Sequence, residues 1–179
     1  MKRHLRMGLI AAALCCGSAI AAEKAGETPA YVSEQVVVTG AVEQPLRLTV
    51  ADLRQFPPQQ VGETPLICQS GASVGKLERL KGVLLRDVLE KAVLQSKAHN
   101  DVKKMAVIAT ASDGYTVVFS WGELFNSPLG EGVIVFFEKD GQPLGDDEGR
   151  IALVSAKDTR TGPRHVKWLK LINVRKLGD

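Results

Sequence analysis

Short apolar runs broken by turn residues make up most of the chain after Glu34. The β-branched run Glu34–Thr39 ends at Gly40, and Leu46–Leu48 follows the turn at Pro45, so both are expected strands. Thr49 and Asp52 have capping-box spacing, which predicts a short helix through Arg54 that stops before Pro57-Pro58. Residues 64–68 run apolar into Cys68, and a glycine-containing loop is expected from Gln69 to Gly75. The clearest helical period spans Val83–Leu94, where Leu84, Leu85, Val88, Leu89 and Ala92 share one face. Opposite them, Asp87 with Lys91 and Arg86 with Glu90 stand at the spacing of helical ion pairs. This helix reads as scaffold.

The second half repeats the strand pattern. Met105–Ala111 and Tyr115–Phe119 flank an Asp113-Gly114 turn, which predicts a hairpin. Ser120 and Glu123 again have capping-box spacing. Gly132–Glu138, Ile151–Ala156 and the alternating Val166–Val174 are three further expected strands. Strands outnumber the single good helix, so the fold class is mixed α+β in one domain.

The N-terminus follows a different logic. Lys2, Arg3 and Arg6 precede an apolar or small run from Met7 to Ile20, and Ala19-Ile20-Ala21-Ala22 offers a small-residue cleavage site. That layout predicts a signal peptide over 1–22, a flexible leader over 23–33 and a folded domain over 34–175. The apolar run is shorter than the roughly 20 residues a bilayer requires, so no membrane insertion is expected after cleavage. The expected location is the periplasm. Removing 1–22 takes three basic residues and no acidic ones, which reduces 23 Lys and Arg against 20 Asp and Glu to 20 against 20. The net charge of +3 therefore belongs to the export signal, and no nucleic-acid partner is expected. Cys15 and Cys16 leave with the signal, so Cys68 remains as a lone thiol, either buried as a small hydrophobe or placed for chemistry.

Several apparent motifs fail on spacing. Gly71-Ala72-Ser73-Val74-Gly75-Lys76 has three residues between its glycines where a phosphate loop needs four, and Leu77 stands where Ser or Thr belongs. Gly130 and Gly132 form an isolated pair. His99 and His165 have no metal-ligand spacing with each other or with Cys68. The group Asp146-Asp147-Glu148 reads as a solvated loop.

Two stretches carry chemistry. One is the Cys68-Gln69-Ser70-Gly71 loop. The other, Lys157 to Trp168, gathers Lys157, Arg160, Arg164 and Lys167 around Gly162-Pro163 beside an indole. Cations next to flexible backbone amides suit an anionic or acceptor-rich planar ligand, with Trp168 or Tyr115 as a stacking face. The competing reading is a basic surface loop with Trp168 in the core.

Leu48-Thr49-Val50-Ala51-Asp52-Leu53, the strand into Cys68, Leu80-Lys81-Gly82-Val83-Leu84-Leu85, Asp113-Gly114-Tyr115, Gly141-Gln142-Pro143-Leu144 and Arg164-His165-Val166-Lys167-Trp168-Leu169 occur in this order. Together they resemble the molybdopterin-binding domain of the sulfite oxidase family over residues 34–175. The resemblance implies that family's strand-rich mixed fold. It places Cys68 at the metal-ligand position, and Arg164, His165 and Lys167 on the segment that holds the pterin and its phosphate. The chain departs from the family where Gln69-Ser70-Gly71-Ala72 follows the cysteine and where Leu80 precedes Lys-Gly. Its basic leader, Lys2-Arg3-His4-Leu5-Arg6, has no twin arginine, and a chain exported unfolded carries no noncovalent cofactor with it.

The resemblance extends to small exported proteins that bind reduced pterins and relay to membrane-bound cyclic-di-GMP enzymes. The leading expectation is thus a periplasmic, non-catalytic pterin-binding protein with a tetrahydropterin-type ligand and a membrane signalling partner. Its site would comprise Cys68, Ser70, Asp113, Tyr115, Arg160, Arg164, His165 and Lys167, lining one pocket that joins the thiol to the cationic segment. Two alternatives stand beside it. One is a molybdenum-cofactor-dependent oxidoreductase with Cys68 as metal ligand; the other is a ligand-free interaction domain.

Overall fold

A computed structural model describes residues 30–178. The expected signal peptide, and the leader up to residue 29, lie outside the described residues. No described helix is long and apolar enough to cross a membrane.

The chain opens with β1 (Gln35–Gly40) and β2 (Leu46–Thr49), then α1 (Val50–Leu53). The Thr49 hydroxyl accepts from the Asp52 N–H, and the Asp52 carboxylate accepts from the Thr49 N–H, which completes the capping box expected from spacing. Next come β3 (Gln59–Val61), the hairpin β4 (Thr64–Ile67) and β5 (Ser73–Leu77), then β6 (Leu80–Leu84) and α2 (Leu85–Ala92). The remaining elements are β7 (Met105–Ala111), β8 (Thr116–Ser120), α3 (Trp121–Phe125), β9 (Val133–Lys139), β10 (Gln142–Pro143), β11 (Ala152–Ser155), β12 (His165–Val166) and β13 (Leu169–Lys176). The second capping box, Ser120 with Glu123, starts α3.

Two sheets sandwich the main core. The first has order β2-β1-β13-β7-β8, with β1 and β13 parallel and the other neighbours antiparallel. The second, β12-β11-β9-β6-β3, is antiparallel, with β10 added to β9. Val36, Val38, Val107, Phe119 and Ile172 of the first sheet meet Val83, Val135, Phe137 and Leu153 of the second, together with Leu85, Val88 and Leu89 of α2. The outer face of the second sheet carries Leu84, Ile134, Phe136 and Val154. It is covered by Leu77 and Leu66 of the β4–β5 hairpin and by Leu144. That hairpin carries Cys68 at the end of β4.

Four expectations are corrected. The helix begins at Leu85, because Leu80–Leu84 pairs with β9 as a strand. Leu84 therefore faces the smaller cluster while Leu85 faces the main core, so the apolar run mixes two periods. Arg86 lies 3.8 Å from its neighbour Asp87 rather than pairing with Glu90. The single final strand is two strands in different sheets: Val166 pairs with Leu153, and Leu169 pairs with Ala111. Trp168, at φ +47°, turns the corner between them. The Gln69–Gly75 loop is also shorter than expected, since β5 starts at Ser73.

Candidate functional site

The loop after β4 is a tight turn closed on both sides of the thiol. The Cys68 N–H donates to the Ala72 carbonyl, and the Gly71 N–H donates to the Cys68 carbonyl, each at 2.9 Å. Gly71 takes φ +93°, a left-handed conformation that favours glycine. The Ser70 hydroxyl accepts from the Ala72 N–H at 3.4 Å, so it belongs to the turn itself. Cys68 is half-buried there.

The segment after β11 straps this loop down. Thr161, almost fully buried, donates its hydroxyl to the Pro65 carbonyl and accepts from the Ile67 N–H at 3.0 Å. Gly162 lies flat against the same strand: a Cβ there would stand 2.9 Å from the Ile67 carbonyl oxygen and 3.7 Å from the Cys68 Cα. Arg160 Nη1 donates to the carbonyls of Cys68 at 3.3 Å and of Gln69 at 3.2 Å. Tyr115, about half exposed, donates its hydroxyl to the Pro163 carbonyl at 2.7 Å. Asp113 accepts from the Tyr115 N–H at 2.9 Å, which fixes the hairpin turn below that ring. Cys68, Ser70, Arg160 and Tyr115 thus converge on one loop pair, with Asp113 at its margin.

The other cations are already committed. Arg164 forms a bidentate pair with Asp158, at 2.6 Å from Nε and 2.5 Å from Nη2, and its Nη1 reaches Glu123 at 2.9 Å. Its guanidinium lies 4.5 Å from the centre of the Phe119 ring. Burial pushes the Arg164 pKa down, but the hydrogen bonds to Asp158 and Glu123 outweigh it and hold the group above its ordinary range. Lys157 pairs with Glu131 at 2.6 Å. His165 sits under the hairpin against Phe136, its Nε2 2.5 Å from Glu148 Oε1. Lys167 and Lys139 lie 3.7 and 3.8 Å from the other oxygen of that carboxylate. Trp168 donates to the Asp146 carbonyl at 2.7 Å and meets Tyr31 edge to face, so it is structural rather than a free stacking surface.

The expected arrangement changes accordingly. Arg164, His165 and Lys167 do not join the thiol as open donors, because Asp158, Glu123 and Glu148 occupy them. Five clefts of about 240 to 510 Å3 lie elsewhere on the described residues, none of them lined by Cys68. The structure joins Cys68 to Arg160 in one loop pair, whereas Arg164, His165 and Lys167 turn toward carboxylates. Glu148 is also corrected: it is 3% exposed rather than solvated. Sequence reading passed over Thr161, Asp158 and Glu148. Only the even balance of acidic and basic residues hinted that the basic segment would be neutralised within the fold. Among the described residues, no cluster of three or more His, Cys, Asp or Glu is arranged to hold a metal.

A family model described as "Oxidoreductase molybdopterin binding domain" matches residues 25–177. Among 27 solved chains that match, the sulfane dehydrogenase SoxCD from Paracoccus pantotrophus superposes with a TM-score of 0.60 at 19% identity. The superposition covers 81% of this chain and 39% of that one, so this chain spans about two fifths of that protein's length. No curated protein sequence matches.

Proposed function

The chain belongs to the oxidoreductase molybdopterin-binding domain family, and from that premise we propose that it is an exported, non-catalytic protein that binds a free reduced pterin in the Cys68 loop. The family implies a pterin-containing molybdenum cofactor, which makes two demands on the residues. The first is a soft anionic ligand, and the half-buried Cys68 thiol meets it. The second is a set of uncommitted cations for the phosphate, and the residues do not meet it. Arg164, Lys157, His165 and Lys167 each already face a carboxylate.

One observation carries the proposal. Among the described residues, Arg160 is the only cation between Lys157 and Lys167 without a carboxylate within 4 Å, and it lies on the Cys68 loop. A single guanidinium with spare donors, beside backbone amides and a half-exposed Tyr115 ring, suits a neutral, flat, acceptor-rich heterocycle better than a phosphorylated one. In this reading Arg160 and Ser70 meet the pterin's oxygen and ring nitrogens, and Asp113 accepts from its amino group. Tyr115 supplies a face, and the Cys68 thiol lies at the ring edge. The signal-like start, with Lys2, Arg3 and Arg6 before an apolar run, supports a periplasmic location. There the bound state would be relayed to a membrane signalling partner.

A second reading is a molybdenum-dependent oxidoreductase with Cys68 as the metal ligand. The family match and the position of the thiol favour it. One native preparation, from a host competent in cofactor synthesis, separates the two by elemental analysis and a fluorescence scan of the released ligand. Released pterin with little molybdenum supports the proposal. Near-stoichiometric molybdenum, lost in Cys68→Ser, supports the enzyme. Absence of both under anaerobic conditions overturns both.

A further inference from the structure

Among the described residues, the first sheet ends in β8 as an unpaired edge strand. Of the outer edges of the two large sheets, β8 is the longest: five residues, against four in β2, three in β3 and two in β12. Its sequence, Thr116-Val117-Val118-Phe119-Ser120, holds no charge and no proline, and its ladder with β7 shows no bulge. These are the devices that ordinarily blunt an edge.

The hydrogen-bond phase shows which groups are free. The Ala111 N–H donates to the Tyr115 carbonyl at 2.8 Å. In an antiparallel ladder that places Val117 opposite Ala109, and Phe119 opposite Val107, as the bonded pairs. The backbone groups of Thr116, Val118 and Ser120 then point outward. The outward Ser120 N–H is met by the Glu123 carboxylate at 2.7 Å, which agrees with this phase. Among the described residues, those of Thr116 and Val118 have no hydrogen-bond partner.

A cleft of about 470 Å3 lies along this edge, lined by Met105, Val118, Leu177, Lys103 and Lys104 among others. Val118 and Leu177 are each 54% exposed. Both lysines are exposed, and among the described residues neither has a carboxylate within 4 Å, whereas nearby Lys176 pairs with Asp101 at 2.9 Å. Glu123, also on the cleft, is held by Arg164.

We propose that β8 docks an extended acidic segment of another protein by strand addition. Thr116 and Val118 supply the backbone bonds, Val118 and Leu177 seat an apolar side chain, and Lys103 and Lys104 receive carboxylates. The proposal is independent of what the Cys68 loop binds.

The test is fluorescence anisotropy with a labelled peptide, acetyl-Glu-Glu-Val-Thr-Val-Thr-Val, titrated with the full folded chain. Saturable binding is expected. It should weaken at least about tenfold for the peptide with Lys in place of Glu, for a peptide N-methylated at alternate residues, and for Lys103→Glu with Lys104→Glu. Val118→Pro removes one outward N–H without touching the ladder and should abolish binding. Val118→Asp, at an exposed position, places a carboxylate against the acidic segment and removes the apolar seat, and should also abolish binding should the proline variant not fold. No saturable binding, or equal binding of the acidic and basic peptides, overturns the proposal. So does concentration-dependent dimerisation that Val118→Pro abolishes and the peptide does not compete with, since the edge then belongs to a second copy of the chain.

Discussion

Arg160 holds the Cys68 loop from 92 positions along the chain, its Nη1 donating to the Cys68 carbonyl at 3.3 Å. The same nitrogen reaches the next carbonyl at 3.2 Å and lies over Gly71, where a Cβ would stand 2.3 Å away. The thiol is thereby presented by a turn that a distant cation clamps shut.

Removing that clamp should loosen the loop more than the fold. Arg160 is exposed, so Arg160→Ala is expected to cost no more than about 1 kcal/mol in urea unfolding. The rate of Cys68 alkylation should rise several-fold. Arg160→Lys should restore the slow rate only in part, since an ammonium lacks the planar fork. An unchanged alkylation rate in Arg160→Ala would show that the clamp does not order the thiol.

Gly71→Ala tests the same contact from the other side. Alanine at φ +93° is strained, and its methyl displaces the guanidinium. A loss of about 1–2 kcal/mol is expected, with alkylation as fast as in Arg160→Ala. The double variant should react no faster than either single one.

Thr161 is the strap's buried peg. Thr161→Val keeps the shape but leaves the Ile67 N–H and the Pro65 carbonyl without their partner. An expected loss of about 1–3 kcal/mol, measured from denaturant midpoints, should be recovered largely by Thr161→Ser.

Acid sensitivity should trace to Glu148. Burial pushes its carboxyl up, but the hydrogen bond and charge of His165, with the charges of Lys167 and Lys139, outweigh that and hold it below its ordinary value of 4.5. A carboxyl whose pKa is lower in the folded than in the unfolded state contributes stability that is complete above the unfolded value. That stability is lost as the pH falls through the folded value. Stability should therefore drop below about pH 4.5, and Glu148→Gln should flatten that drop while lowering stability at neutral pH. An acid limb of the same steepness in Glu148→Gln would assign the drop elsewhere.

Local rules made much of the fold legible. Thr49 with Asp52, and Ser120 with Glu123, announce their helices because a capping box closes within four residues. The alternation of β8 survives because its outer face is wet. Leu80–Leu85 misleads, since both faces of the second sheet are buried and strand and helix periods merge there. The break at Trp168 is invisible for another reason. Val166, Trp168, Ile172 and Val174 stand at even spacing, and only the partners of Val166 and Leu169, Leu153 and Ala111, divide the run between sheets. At the site, the thiol and the basic segment stand out as residue types. The carboxylates that neutralise the segment do not, because Glu123 lies 41 positions from Arg164 and Glu148 lies 17 from His165. Pairing at such distances is a property of the folded chain.

The central claim is tested most directly by anaerobic calorimetric titration of the purified, metal-free protein with tetrahydrobiopterin. One-site saturable binding, weakened at least about tenfold in folded Arg160→Ala, is the expected result. No binding by the wild-type chain, or equal binding by the variant, would contradict it.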